Sequence, residues 1–327
     1  ILDKDAPVGT PYSEYAGLND VTFELKVTPN RADCLSHYGL AREIGCLLNR
    51  KVKKIETYSK FSVESTKKKM DLKVSSHFCI RYSGRYVQGV KVGPSPSWLK
   101  QRLESIGMNS INNVVDVTNY VMLELGQPIH AFDADLLEDS KISVRDAQPG
   151  EKFKTLKEQD ITLVGGEVLI CDGKRAVALA GVIGGLNSGV SEKTQNIFIE
   201  SANFDSMSVR KSSRSHGIET DSAYRFSRGV DPSQTVEAMD RVALLMHQVA
   251  GGNVFGDHHD HYPNVIKKEP IRVLISTVQN RLGYQVSDEI FEQYMQGLQC
   301  EVKKNGLGDY SITPPLFRFD LEQEMDF

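Results

Sequence analysis

The chain is poor in the features that would settle its class at once. It has five cysteines and one tryptophan in 327 residues, and its longest apolar run, Ala176–Leu186, is 11 residues and broken by glycines. A run that short cannot cross a bilayer as a helix. Cys34, Cys46, Cys79, Cys171 and Cys300 are odd in number, scattered and never spaced C-x-x-C, which argues against a disulfide framework or zinc ribbon and for reduced, buried thiols in a cytoplasmic protein. No basic–apolar–small leader opens the chain, which begins at Ile1. Positive charge is not in excess either: 39 Lys and Arg stand against 43 Asp and Glu, a net charge of −4. Binding of nucleic acid would therefore need a local basic face. There is no G-x-S-x-G elbow, and the glycine run at 181–185 lacks the Lys-Ser/Thr ending of a phosphate loop.

What is present is an ordinary globular balance, 40% hydrophobic and 25% charged, in a length suited to two or three domains. Phe23, Leu25 and Val27 alternate with polar residues and predict a strand over Val21–Val27. Leu35, Tyr38, Ala41, Ile44 and Leu48 recur at helical spacing after it. One strand and one helix cannot bury both their faces, so residues 1–50 are either part of a larger core or a fragment missing its partner. The lysine-rich stretch 51–74, with Lys67–Lys69, reads as a linker. From 75 to 255 a strand over Ile80–Val92 is followed by helices over Ser97–Ile106 and Ile111–Leu125, the latter capped by Ser110 and closed by Gly126. Residues 142–200 are rich in β-branched runs punctuated by turns. Pro232–Ala250 is the clearest helix, capped by Asp231 and stopped by Gly251-Gly252. Beyond it come a strand at Ile271–Ile275, two short helices, a Pro314-Pro315 break and an acidic helical pattern with no stop signal. That ending predicts an internal piece of a longer chain.

Four segments could carry chemistry. Asp257–His261 offers imidazoles and carboxylates, but adjacent residues rarely converge on one ion, so a solvated turn is expected rather than a metal site. Ala180–Gly185 reads as tight turns, with backbone open to close approach where no Cβ intervenes. Arg210, Lys211, Arg214, Arg225 and Arg228 lie beside Tyr224 and Phe226, a composition that suits phosphate and base contacts and equally suits structural ion pairs. Val114–Asp133 concentrates Asp116, Thr118, Asn119, Gln127, His130 and Asp133 in an apolar setting, where buried polar groups must be paired or used.

Taken in order, Thr28–Asp33 with Ser36-His37, Val114–Val121, Gly126–Asp133, Ala180–Gly185, Thr194–Asn196 ahead of Ile199-Glu200, Arg225–Pro232, Pro314-Pro315 and Arg318–Asp320 resemble the β subunit of bacterial phenylalanyl-tRNA synthetase over nearly the whole chain. The resemblance implies an α+β, multidomain fold. A central mixed α/β editing domain with a β-rich core, residues 75–255, would be flanked by the second half of a small domain (1–50) and a small helix-rich domain (265–327). It implies hydrolysis of tyrosine mischarged onto phenylalanine tRNA, with no synthetic active site in this chain. The partner would be the α subunit in a heterotetramer of two α and two β, with tRNA(Phe) and neither membrane nor DNA. ATP and magnesium would serve only the complete enzyme, and this piece would hold no cofactor or metal.

Carried over motif by motif, Thr118, Asn119 and His130 would hold the ribose, ester or attacking water. Ala131, Gly181, Gly184, Thr220 and Ser222 would line the pocket, Glu200 would read the phenol, and the five basic residues from Arg210 to Arg228 would meet tRNA. The chain departs from many relatives in placing Ser222-Ala223 where they have Ala-Ser. The competing expectation is a noncatalytic tRNA-positioning and assembly scaffold whose pocket is weak or idle.

Overall fold

The structure, a computed structural model, describes residue 2 and residues 4–16, 20–60 and 70–327. Lys67–Lys69 therefore lie outside the described residues. The N-terminal block holds helices α1 (Tyr12–Tyr15) and α2 (His37–Leu47). The central block follows in the order β1 (Asp71–Val74), β2 (Cys79–Gln88), α3 (Ser97–Glu104), α4 (Asn113–Leu125), β3 (Ile129–Asp133), β4 (Lys141–Asp146), β5 (Lys152–Lys154), β6 (Asp160–Thr162), β7 (Val168–Cys171), β8 (Ala176–Leu179), β9 (Ile183–Gly184), β10 (Asn196–Phe204), α5 (Ser206–His216), α6 (Asp221–Phe226), α7 (Thr235–Ala250) and β11 (Asn253–His261). The C-terminal block comprises β12 (Ile271–Leu274), α8 (Ile275–Leu282), α9 (Asp288–Gly297), β13 (Glu301–Gly306) and β14 (Asp309–Thr313). The fold is α+β and multidomain.

The centre is an antiparallel four-stranded sheet in the order β11-β2-β10-β3. Side chains alternate across it. Ile197 and Ile199 of β10 join Val114, Val117 and Val121 of α4 and Met239, Val242 and Met246 of α7 in one core. Phe198, Ala202 and Phe204 face the other way, into a core shared with Ile142, Val144, Leu169, Ile170 and Leu179 of the second sheet, ordered β1-β4-β7-β8-β9. Burial on both faces explains why β10 reads as a run of apolar residues with polar interruptions, not as an alternating strand.

Several boundaries moved for physical reasons. Asp71–Val74, placed in the linker by composition, pairs in parallel with β4 as β1. Residues 51–60 have no regular structure but are tied to α7, Tyr58 through its N–H to the Asp240 carbonyl and Glu56 through its carbonyl to Arg241. Helix α4 is capped by Asn112, which accepts from the N–H groups of Val114 and Val115; the Ser110 hydroxyl instead donates to Asp116. Asp257–His261 is not a turn but the end of edge strand β11. The segment Val21–Val27 has no regular structure and is largely exposed, with no strand partner among the described residues.

Helix α2 lies between α4 and α9: His37 Nδ1 is 3.0 Å from the Leu123 carbonyl, and Cys46 Sγ is 3.5 Å from the Tyr294 carbonyl. The C-terminal block carries its expected helices and a sheet, β12-β14-β13, closed over Val273, Phe291, Tyr310 and Ile312. Strand β13 is not legible in the sequence because it is exposed and lysine-rich, with no apolar alternation to reveal it.

Candidate functional site

The register of the central sheet sets His259 of β11, Gly84 of β2, Glu200 of β10 and His130 of β3 in one row, on the face toward the second sheet. Glu200 and His130 are 70 positions apart in the chain and become direct cross-strand partners. Glu200 is 6% exposed. Its Oε2 accepts a hydrogen bond from the Tyr82 hydroxyl at 2.8 Å, while Oε1 meets no donor among the described residues. No cation among the described residues pairs with it. Burial pushes its pKa up to about 8, although the Tyr82 bond favours the charged form. At neutral pH the group is mostly a neutral acid, able to donate or accept.

His130 stands half-buried with its ring edge-on to Phe132, centroids 4.4 Å apart, and makes no hydrogen bond among the described residues. The density of protein around it brings its pKa down to about 4, so the imidazole is neutral near pH 7. Such a ring can orient a hydroxyl or a water but is a weak base. A Cβ on Gly184 would come within 2.6 Å of His130 Cε1 and 2.7 Å of Leu156 Cδ1, so glycine there is what lets the imidazole sit against the turn.

Gly181 has a different office. It adopts φ +68°, and a Cβ would point at Val209 and Phe226, 2.9 and 3.1 Å away, into the core and not toward a ring-sized space beside Glu200. The turn around it is fastened to α6. Thr220 caps that helix by accepting from the Ala223 N–H, and the same hydroxyl donates to the Val182 carbonyl at 2.8 Å. Ser222 donates to the Gly181 carbonyl at 3.3 Å and so spends its hydroxyl on the turn.

The remaining sequence-derived residues are more scattered. Thr118 donates to the Val115 carbonyl within α4, and Asn119 is half-buried without a hydrogen bond among the described residues; neither bonds to Glu200 or His130. Ala131 pairs with Ile199 and packs in the helix-side core, so its side chain is across the sheet from Glu200. Their polar neighbours are structural. Asp116 accepts from Ser95, Ser110 and the Ile111 N–H, Gln127 donates to the Ala202 carbonyl, and Asp133 accepts from Thr194.

Of the basic residues, Lys211 and Arg214 are exposed on α5, Arg210 reaches the Ser227 carbonyl, and Arg228 stacks 3.5 Å above the exposed Tyr224 ring. Arg225 does not belong with them: it is 8% exposed and turned back onto Asp221. Along β11, Asp260 is held by Arg81 and Ser83, and neighbouring residues point to opposite faces, so the five cannot converge on one ion. Asp33, Cys34 and Glu43 do bring ligand atoms within 4.8 Å of one another, but Arg31 already pairs with both carboxylates. Tyr82 is the neighbour of Glu200 that sequence reasoning missed. Locally it looks like one more apolar residue of β2, and only the strand register puts its hydroxyl beside Glu200.

Known proteins are similar to this sequence. Residues 78–251 match the B3/4 domain and residues 271–327 the tRNA synthetase B5 domain. Over its full length the chain is 56% identical to the phenylalanine–tRNA ligase beta subunit of Bdellovibrio bacteriovorus, spanning 40% of that protein. It is 44% identical to the subunit of the same name from Geobacter sulfurreducens and 43% identical to that of Fusobacterium nucleatum, spanning 41% of each. A solved N-terminal fragment of the phenylalanyl-tRNA synthetase beta subunit from Pyrococcus horikoshii aligns weakly, at 16% identity and TM-score 0.43, over 97% of this chain and 92% of that one. With the B3/4 match covering more than half of its residues and the B5 match following it, the chain belongs to the phenylalanine–tRNA ligase beta-subunit family.

Proposed function

We propose that the central domain removes tyrosine wrongly esterified to tRNA(Phe). The complete cytoplasmic enzyme would consist of two such β subunits and two α subunits, the α subunits joining phenylalanine to tRNA(Phe) with ATP and magnesium. The observation that carries this reading is a buried carboxyl group, Glu200, with one oxygen unpaired and no cation beside it among the described residues. It lies directly across the strand pair from an imidazole that is itself without a hydrogen bond there. Tyrosine exceeds phenylalanine by one hydroxyl, which an apolar synthetic pocket rejects poorly. A second site that hydrogen-bonds the hydroxyl can select it, because phenylalanine leaves the polar group unpaired at a cost of about 1–3 kcal/mol, roughly 5–150-fold.

An aminoacyl ester is already activated, so a positioned water suffices. Water adds to the ester carbonyl, the carbonyl carbon–ribose oxygen bond breaks, the leaving ribose oxygen takes up a proton of the water to become a hydroxyl, and free tyrosine departs with the water oxygen in its carboxyl group. His130, neutral at physiological pH, orients the water or the terminal ribose, with Thr118 and Asn119 assisting at the ribose end. Gly181, Gly184, Thr220 and Ser222 shape the wall, and Arg210, Lys211, Arg214 and Arg228 supply phosphate contacts from α5 and the turn after α6.

The test is release of amino acid from Tyr-tRNA(Phe) and Phe-tRNA(Phe) by the complete enzyme. Tyrosine should be released preferentially, and Glu200→Ala should erase the preference. Equal hydrolysis of both esters by the unaltered enzyme defeats the specificity claim, and pocket variants that leave mischarging unchanged would point to a tRNA-positioning scaffold.

A further inference from the structure

The Tyr82 hydroxyl is completely buried, and its bond among the described residues is to Glu200 Oε2 at 2.8 Å. It comes from β2, two residues from Gly84, the residue paired with Glu200, so the contact is a cross-strand diagonal on the site face of the sheet. We propose that Tyr82 is a specificity-determining positioning residue: by holding Oε2, it fixes the plane of the Glu200 carboxyl and leaves Oε1 as the single atom that meets the substrate ring. This rests on the editing reading and deepens it.

The geometry excludes a looser arrangement. A buried phenol must donate its proton, and Glu200 supplies the acceptor; Oε2 is thereby committed. A glutamate side chain has three rotatable bonds, and without the anchor its carboxyl could turn either oxygen, or neither, toward a ligand. The ring of Phe198 blocks one escape, because it lies over Gly84 where a Cβ would collide with it. Cys79, the other titratable group that burial and Glu200 act on together, has its thiol pKa pushed up and stays uncharged. Tyr82 in turn is held well above the usual phenol range by burial and by Glu200, so it remains a donor across the physiological range. The site thus uses an internal phenol to aim the group that recognises an external one.

The experiment measures hydrolysis of tyrosyl and phenylalanyl esters of tRNA(Phe) by the complete enzyme carrying Tyr82→Phe, Glu200→Ala, or both, with melting temperatures alongside. Tyr82→Phe should lower the Tyr/Phe selectivity by about tenfold, the effect of one well-placed hydrogen bond. The loss should appear in KM for the tyrosyl ester more than in kcat. In the Glu200→Ala background Tyr82→Phe should change selectivity no further, because Tyr82 acts only through Glu200. Should Tyr82→Phe fail to fold, Tyr82→Met keeps an apolar filler without the hydroxyl and must show the same loss. Full selectivity in either folded variant, or additive effects of the two substitutions, overturns the assignment while leaving the editing reading intact. Equal rates on both esters by the unaltered enzyme remove the editing reading and this one with it.

Discussion

The two faces of the central sheet solve the same problem in opposite ways. On the helix face Arg85, fully buried, pairs with Asp240 of α7 at 2.7 Å and donates to the carbonyls of Phe255 and Gly256. One position along β2, on the other face, Gly84 sits opposite Glu200, which has no cation beside it among the described residues. One buried ionisable group is neutralised by an opposite charge, the other by keeping its proton. Burial lowers the pKa of Arg85 and raises that of Asp240 even as each is pulled back by its partner, which measures how costly charge is in this interior. The ion pair spends its bonding within the fold. The neutral acid keeps a polar atom in reserve, and that difference separates a group spent on the fold from one still able to meet a ligand.

The sharpest way to break the contrast is to remove one member of each pair. Arg85→Leu strands Asp240 and should cost about 3–5 kcal/mol in denaturant unfolding. Glu200→Gln keeps an acceptor for Tyr82 and should stay within about 1 kcal/mol of the parent near pH 6. Equal losses would mean that both faces are held by charge. A smaller effect, expected at about 1–3 kcal/mol, is that of Gly184→Ala, whose added methyl must displace the His130 ring or the Leu156 side chain. It should also slow ester hydrolysis, and an unchanged rate would show that the imidazole tolerates the shift.

Stability against pH separates the faces further. Glu200 holds its proton up to about pH 8 in the folded chain, whereas its ordinary value is 4.5. The folded state therefore binds more protons between those values, and this group's contribution to stability falls as pH rises from 4.5 to 8 and then levels off. His130 has the opposite sign: with a folded value of about 4 against an ordinary 6.5, its contribution falls as pH drops from 6.5 to 4. The two slopes oppose each other below pH 6.5, so the clean window is 6.5–8, where stability should decline and Glu200→Gln should flatten the decline. A curve unaffected by that substitution would place the proton elsewhere. The smallest expected effect is at the surface. Replacing Lys211 and Arg214 with Gln should make tRNA binding less sensitive to salt, the logarithmic slope falling by about one unit for each phosphate no longer neutralised. Replacing the inward-turned Arg225 should act on stability instead.

These comparisons also mark what could be read in the sequence. Helix α7 was legible because its apolar face, its Pro near the start and its terminal glycines all agree, and α4 was legible to within two residues of its start. Motif resemblance named Glu200, His130 and Gly184 together, but not why they belong together. Their meeting depends on pairing between strands 70 residues apart, which leaves no local trace. Period-two alternation, by contrast, is a local rule that does separate two of the named residues: if His130 faces one side of β3, Ala131 must face the other. Tyr82 carried no signal at all, since a buried tyrosine in a strand looks the same with or without an acid nearby. The basic cluster divided along burial, and composition cannot tell a guanidinium that bonds back to its own helix from one left in water.

Thr220 and Ser222 occupy the carbonyls of Val182 and Gly181 with two hydroxyls from the start of α6. A turn clasped at consecutive peptide groups has little wandering left to surrender when a guest arrives. The turn next to the imidazole is thus built beforehand, and under the editing proposal an incoming ester would meet fixed masonry instead of a hinge that must first swing shut.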